Sequence, residues 1–157
     1  MDHATENASP DCPVIRIAAA VILDDAQRTL LVRKRGTTAF MQAGGKIEAG
    51  EDPLAALRRE LREELDLTFD LAASRRLGRF TAPAANESGC LVEAEVYHVP
   101  ADAPVRPRAE IEEAVWVDPF APDNLVLAPL TRDAVLPLVR SLLAAQAGQP
   151  FQRSRRA

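Results

Sequence analysis

Three glutamates, Glu60, Glu63 and Glu64, fall within one short stretch whose apolar pattern is helical. At about 100° per residue, their side chains occupy roughly a third of the helix circumference. Carboxylates at these spacings repel one another by about 0.2–0.5 kcal/mol per pair. A hard divalent cation such as Mg²⁺ would offset this repulsion, because it prefers carboxylate oxygens as ligands. The glutamates by themselves leave two interpretations open, a metal site or a solvated helix face.

Local signals define the helix that positions these carboxylates. Asp52 is suited to the N-cap and Pro53 to the first helical position. No helix-breaking residue interrupts the twelve positions that follow. Four leucines at helical spacing predict the buried face: Leu54, Leu57, Leu61 and Leu65. The glutamates border this face, so we expect them at the edge of the core and not on the far solvent side.

The spacing over residues 45–67 favours a metal site over a solvated helix face. Gly45 is followed after five residues by Glu51, and seven more residues lead to Arg59 and Glu60. This segment resembles the Nudix box, G-x5-E-x7-R-E-U-x-E-E-x-G-U, in which U is aliphatic. Eight of its nine specified positions match. The exception is Asp66, where the family usually has glycine, and we expect it to take a left-handed helix end at a small cost.

The resemblance extends with less specific motifs over about residues 14–145. It implies an α/β fold, the Nudix-type α/β/α sandwich around a mixed β-sheet. It also implies a divalent-metal-dependent pyrophosphohydrolase, in which water attacks phosphorus and breaks the diphosphate linkage of a nucleoside diphosphate derivative. A second departure is Ala43, where many relatives carry proline before the paired glycines. Neither departure removes a carboxylate.

The same resemblance assigns roles to residues of the box. The implied ligands of Mg²⁺ or Mn²⁺ are the carbonyl of Gly45 and the carboxylates of Glu60, Glu63 and Glu64. Arg59 matches the arginine that pairs with and orients the carboxylates, Glu51 among them. For the general base, Glu63 or Glu64 is the first choice.

Candidates for further roles lie outside the helix. Three glutamates before the Trp116 strand are alternative general bases, or else form a solvated acidic turn: Glu110, Glu112 and Glu113. Lys46 follows the paired glycines and is a candidate for phosphate binding. Arg33 and Arg35 share one face of a predicted strand and are candidates for the same role. All three basic residues also fit ordinary strand-end surface positions.

The sequence says less about which nucleotide is bound. A base pocket uses aromatic stacking and a few polar groups. The candidates are Phe40, Phe80, Tyr97, Trp116 and Phe120, with Asp123 and Asn124 as polar groups. Pro83 lies at the offset from the box where relatives acting on ADP-ribose often carry proline. We therefore expect a (d)NTP, ADP-ribose or a nucleotide sugar as the substrate.

Apolar runs predict the remaining elements. Residues 14–23 form a buried strand and residues 29–35 its hairpin partner. Further strands are expected at 40–47, 75–81, 91–99 and 114–117. A second helix is expected at 131–146, kinked or split at Pro137. Its apolar residues either form the interface of a homodimer or cover the sheet.

Composition narrows the function classes. The 157 residues fit one domain, predicted at 14–147 between a flexible tail at 1–13 and a basic tail at 148–157. The net charge of −4 argues against a stable nucleic acid complex, and no apolar run is long enough to span a membrane. Two cysteines without metal-ligand spacing, Cys12 and Cys90, and no apparent signal peptide indicate a reducing, cytoplasmic setting.

Two other functions fit a Nudix domain. One is a non-catalytic domain that senses a nucleotide and regulates a partner, although such domains usually lose box glutamates. The other is the isomerase branch of the fold, which recruits a cysteine and additional metal ligands. Cys90 is predicted instead to be a small buried apolar side chain. A small-molecule nucleotide is therefore the expected partner.

Overall fold

Seven strands and two α-helices are present in the computed structural model, which describes residues 12–101 and 103–148. The strands are β1 (Ile15–Val21), β2 (Thr29–Lys34), β3 (Phe40–Met41), β4 (Gly44–Lys46), β5 (Arg75–Pro83), β6 (Leu91–His98) and β7 (Ile111–Val117). The helices are α1 (Pro53–Leu65) and α2 (Leu136–Ala147). A mixed sheet has the order β4-β1-β6-β5, and an antiparallel sheet has the order β3-β2-β7. The predicted mixed α/β class is confirmed, with the strands divided between two sheets.

Strand β1 lies in the interior of the mixed sheet and is buried on both faces. It pairs in parallel with β6 and antiparallel with β4. Ala18 and Ala20 belong to the apolar cluster that includes the leucines of α1. Ala19 and Val21 belong to a second cluster that includes the buried residues of α2. The buried strand expected at 14–23 is confirmed, since such strands have continuous apolar runs.

Strand β2 departs from the predicted hairpin. It meets β1 only at the turn, where the Leu30 N–H donates to the Ile22 carbonyl at 3.0 Å. Beyond that point β2 pairs with β3 and β7 in the other sheet. The strand is buried on both faces, because Leu30 packs towards α1 while Leu31 packs against Phe40 and Val117. The prediction that β2 runs alongside β1 is therefore wrong after the turn.

Helix α1 forms where the local signals predicted it. The Asp52 carboxylate accepts from the backbone N–H groups of Leu54 and Ala55, at 3.0 and 3.3 Å. Such a cap satisfies N–H groups that have no partner within the helix. The helix ends at Asp66 in the left-handed conformation with φ 53°, and its carboxylate pairs with Arg108 at 3.0 Å. The predicted left-handed end at Asp66 is confirmed.

Helix α2 is preceded by a π-helical turn at Thr131–Val135. Pro137 has no N–H to donate to the preceding turn, and the Leu136 N–H donates to the Thr131 carbonyl instead. Helical structure continues through Pro137, over residues 129–147, so the irregularity expected there takes the form of a π-helical turn and not of a split into two helices. Val135, Val139 and Leu143 are buried against the mixed sheet, so this face of α2 covers the sheet.

The two cysteines form a disulfide, which the sequence did not predict. Cys12 and Cys90 are bonded with their Cα atoms 5.4 Å apart, across a sequence separation of 78. Cys90 is buried, as predicted, but its sulfur is bonded to Cys12. The bond also removes the cysteine argument for a reducing compartment, because disulfides persist in oxidising ones. The outer parts of the predicted tails, residues 1–11 and 149–157, lie outside the described residues.

Within the described ranges, no helix has the length and apolar character needed to cross a membrane.

Candidate active site

The carboxylate face of α1 packs directly on the paired glycines of β4. A Cβ added to Gly45 would lie 2.5 Å from the carboxyl carbon of Glu60. A Cβ added to Gly44 would lie 2.0 Å from the Ala18 carbonyl oxygen, and the φ of Gly44 is +145°. Both positions therefore require glycine, the first for the space occupied by Glu60 and the second also for its backbone conformation.

Glu64 is the most deeply buried carboxylate of the box, at 2% exposure. Its Oε1 accepts a hydrogen bond from the Gly44 N–H at 3.1 Å. Burial raises the pKa of Glu64 to about 8, against the opposing effect of that hydrogen bond. A negative charge at this position is thus poorly compensated by the described residues.

Glu60 lies beside Glu64 and is subject to the same effect. Burial raises the pKa of Glu60, while its hydrogen bond to Arg59 opposes the shift and the charges of Glu63 and Glu110 add to it. Glu63 is exposed and lines a separate cleft with Arg62, Asp66 and Arg108. The structure therefore brings Glu60 and Glu64 together against β4 and leaves Glu63 on the outer side of the helix.

Arg59 connects three parts of the box. Its guanidinium donates to both Glu51 oxygens at 3.0 and 2.9 Å, and to Glu60 Oε1 at 2.7 Å. It also donates to the Lys46 carbonyl at 3.1 Å. Hydrogen bonding to Arg59 and to the Glu48 N–H lowers the pKa of Glu51 to about 2. The planar fork of arginine thus holds the loop before α1, the helix and β4 in one arrangement.

The predicted basic residues of β2 point away from the carboxylate cluster. Arg33 pairs with Glu113 at 3.1 Å, and Arg35 pairs with Glu112 at 3.0 Å. Strand β7 begins three residues earlier than predicted, and this places both glutamates on the strand beside β2. These four side chains neutralise one another outside the cavity described below.

Lys34, which was not among the predicted site residues, faces the site. It lies between Arg33 and Arg35 on the opposite face of β2 and pairs with Glu110 at 3.4 Å. The charge of Lys34 opposes the rise in the pKa of Glu64, while that of Glu110 adds to it. The alternation along β2 carried the signal, because Lys34 shares its face with the core residues Leu30 and Val32.

A cavity of about 120 Å³ adjoins the carboxylates and the paired glycines. Glu64, Lys34 and Lys46 line it on the side of the box. Its apolar lining is formed largely by Ile15, Ile17, Val32, Met41, Val92 and Leu130. The last residue of β5, Pro83, and the loop after it, residues 84–87, also line the cavity. Lys46 also lies 3.8 Å from Glu87 of that loop.

The aromatic residues predicted for a base pocket do not line this cavity. Phe40 is buried beside β2 and β7, and Phe80 packs in the cluster shared with α2. Tyr97 and Trp116 pack against the cluster of α1, and Phe120 is 58% exposed. The two polar candidates, Asp123 and Asn124, are exposed and also lie outside the lining. Four of the five aromatic candidates pack against the apolar clusters and form no stacking surface in this cavity.

Two polar residues absent from the sequence prediction do line the cavity. The Thr131 hydroxyl donates to Gln42 Oε1 at 2.8 Å, and both residues are buried. Gln42 Nε2 is buried without a hydrogen-bond partner. The two residues are 89 positions apart, so no local pattern linked them.

In the described part of the chain, no three His, Cys, Asp or Glu side chains are gathered as a ready-made metal site. The donor set still fits a hard divalent cation. Glu60 and Glu64 supply carboxylate oxygens on the same side of α1, and burial raises the pKa of both. A cation would compensate charge that Arg59 and Lys34 compensate only in part.

A family model described as the NUDIX domain matches residues 14–136. The chain therefore belongs to the Nudix family, as the box predicted. It is 32% identical over 143 residues to the CTP pyrophosphohydrolase of Escherichia coli (strain K12), covering 87% of this chain and 97% of that protein. It is 32% identical over 125 residues to the RNA pyrophosphohydrolase of Halorhodospira halophila (strain DSM 244 / SL1), covering 68% of each chain.

The solution structure of the E. coli ORF135 protein is similar, with a TM-score of 0.64 at 26% identity, over 90% of this chain and 97% of that one. The MutT protein from Methanosarcina mazei Go1 has the same fold, with a TM-score of 0.66 at 20% identity, over 95% of this chain and 100% of that one. These likenesses confirm the predicted fold. The family model and the two pyrophosphohydrolase relatives confirm the prediction of a Nudix hydrolase.

Proposed function

We propose that this protein is a divalent-metal-dependent pyrophosphohydrolase that acts on a nucleoside triphosphate. Water would attack phosphorus and break a P–O–P bond of the substrate. The observation that carries the proposal is the packing of Glu60 and Glu64 against the paired glycines, beside a cavity that contains two lysines. The named activities of the pyrophosphohydrolase relatives support the same reaction class.

Mg²⁺ or Mn²⁺ would be held by Glu60 and Glu64, with the Gly45 carbonyl and Glu63 as the further ligands implied by the family resemblance. When bound, the metal would neutralise diphosphate oxygens and make phosphorus more susceptible to attack. The chain supports this by restraining its carboxylates. Glu64 is held by the Gly44 N–H, and Glu60 is held by Arg59.

Arg59 is assigned as the positioning residue of the site. Its two bonds to Glu51 and its bond to the Lys46 carbonyl fix the guanidinium, and its Nη1 then donates to Glu60. Glu51 shares this role, because its low pKa keeps it charged across the working pH range. Neither residue needs to touch the substrate.

Lys34 and Lys46 are proposed to neutralise the phosphates, since both line the cavity next to the box. The earlier candidates Arg33 and Arg35 are less suited, because each is paired with a glutamate of β7. Glu63 or Glu64 remains our first choice as general base, and Glu110 is the distant alternative because it lies beside Lys34.

A substrate panel tests this proposal. The (d)NTPs, ADP-ribose, NADH and a nucleotide sugar would each be incubated with Mg²⁺ or Mn²⁺, and the products separated by chromatography. We expect cleavage of a triphosphate, abolished by a chelator and lowered by at least about a hundredfold in Glu64→Gln. Glu93→Gln, which alters a glutamate paired with Arg16 outside the site, is the matched control. Binding of a nucleotide without any cleavage would favour the nucleotide-sensing alternative.

The remaining expectations about partners stay predictions. They are the absence of a stable nucleic acid complex, a possible homodimer and a cytoplasmic location. The buried face of α2 covers the mixed sheet, so a dimer interface would have to use another surface.

A further inference from the structure

Two buried side-chain polar atoms of the described residues have no hydrogen-bond partner, Thr29 Oγ1 and Gln42 Nε2. Of these two residues, only Gln42 lines the cavity beside the box. Gln42 is 6% exposed, and a buried donor without a partner costs about 1–3 kcal/mol. The placement of this donor next to a cavity indicates that a ligand supplies its missing partner.

The Thr131 hydroxyl determines which end of the amide is free. It donates to Gln42 Oε1 at 2.8 Å, so the amide oxygen is already used. The NH₂ group remains, and it can only donate. It belongs to a cavity lining that also contains the apolar residues Ile17, Val32 and Leu130.

The position of Gln42 suits contact with a base. Gln42 precedes Gly44 by two residues, about 7 Å of extended chain. A nucleotide with its phosphates at the edge between α1 and β4 would therefore bring its base towards the amide. The cavity lining supplies apolar contact with the ring faces, and the amide supplies the directional contact with the ring edge.

We propose that the Gln42 amide, oriented by Thr131, selects nucleobases that present a carbonyl oxygen. Cytosine and uracil carry such an oxygen at C2, and guanine and hypoxanthine carry one at C6, whereas adenine has no carbonyl oxygen and carries an amino donor at C6. An amide donor facing that amino group would leave two donors opposed and unpaired, which sites of this kind reject. This inference rests on the proposed function, because it assumes that a nucleotide occupies the cavity.

The kinetic test compares CTP, ITP and ATP. ITP and ATP differ in carrying a carbonyl oxygen or an amino group at one ring carbon, so ring size is held constant. We expect the wild type to have a higher kcat/KM for CTP and ITP than for ATP. Gln42→Leu should lower the two ratios of kcat/KM, CTP to ATP and ITP to ATP, by at least about tenfold. Gln146→Leu, at an exposed position of α2, is the matched control and should keep the wild-type ratios.

Thr131 variants separate orientation of the amide from simple packing. Thr131→Val keeps the branched shape and removes the hydroxyl, so the amide is free to turn and the ratios should fall. Thr131→Ser keeps the hydroxyl and should retain most of the discrimination. A wild-type preference for ATP, or ratios unchanged in Gln42→Leu, would overturn the inference.

Binding gives a second readout that needs no cleavage. The side-chain amide signals of Gln42 in ¹⁵N-labelled protein would be assigned by their loss in Gln42→Leu, then followed during addition of CMP or AMP. We expect shifts with CMP and not with AMP. Such shifts without cleavage of any triphosphate would contradict the proposed function and support this inference. Cleavage with unmoved amide signals and unmoved ratios would support the function and overturn the inference.

Discussion

Replacing Gly45 with alanine tests whether the space beside β4 belongs to the Glu60 carboxylate. The added Cβ would lie 2.5 Å from the carboxyl carbon and 2.6 and 2.8 Å from the two oxygens of Glu60. Ordinary contacts between carbon atoms are about 3.5–4.0 Å, so the carboxyl group must retreat by about 1 Å. A misplacement of that size at a reacting centre costs on the order of a hundredfold in rate.

The expected result is therefore a large loss of activity with a small loss of stability. Gly45 has no positive φ, so alanine adds no backbone strain there. The group that must move is the end of a flexible side chain, and the free energy of unfolding should fall by less than about 1 kcal/mol. We expect kcat to fall by about a hundredfold and the Mg²⁺ concentration needed for half-maximal rate to rise.

Gly36→Ala is the matched control. Gly36 has a φ of +79° and no atom within 4 Å of an added Cβ, so alanine adds strain without a clash. It should lower the free energy of unfolding by about 1–2 kcal/mol and leave kcat unchanged. The assays are steady-state kinetics across Mg²⁺ concentrations and urea denaturation of both variants. A kcat within about threefold of the wild type in Gly45→Ala would refute the assigned position of Glu60.

Three further predictions concern other contacts. Arg59→Lys keeps the charge but loses the bidentate hydrogen bonding to Glu51. We expect kcat to fall at least about tenfold while the midpoint of thermal unfolding changes little. A kcat equal to that of the wild type would contradict the positioning role of Arg59. Cys90→Ser opens the loop closed by the Cys12–Cys90 bond, which joins residues 78 positions apart. This variant should have a free energy of unfolding lower by about 2–4 kcal/mol. A reductant should lower the free energy of unfolding of the wild type by the same amount and leave that of the variant unchanged. The pKa of His98 is lowered first by burial and then by a nearby arginine, so the unfolded chain binds the proton more readily than the folded one. The free energy of unfolding should therefore decrease as the pH is lowered below about 6.5. Denaturation at about pH 7.5 and 5.5 should show a larger decrease in the wild type than in His98→Asn, and equal decreases would contradict this prediction.

The sequence predicted the parts of this protein whose signals are local. Helix α1 follows from its cap at Asp52, from Pro53 and from leucines at helical spacing, because these act within a few residues. The left-handed end at Asp66 and the helix irregularity before Pro137 have the same origin. The bond between Arg59 and Glu51 was expected from the resemblance to the Nudix box, which contains both residues in one short segment. Family membership followed because the box lies in one continuous segment.

Contacts between residues that lie far apart in the sequence were decided only by the tertiary structure. Strand alternation placed Arg33 and Arg35 on one face, but only the pairing of β2 with β7 supplied the glutamates that neutralise them. The fold placed Lys34 in the lining of the same cavity as Glu64, and the packing of the π-helical turn before α2 brought Thr131 to Gln42. The bond between the two cysteines likewise joins residues 78 positions apart. Such contacts depend on which faces are buried together, and burial is a property of the assembled core, not of any one segment.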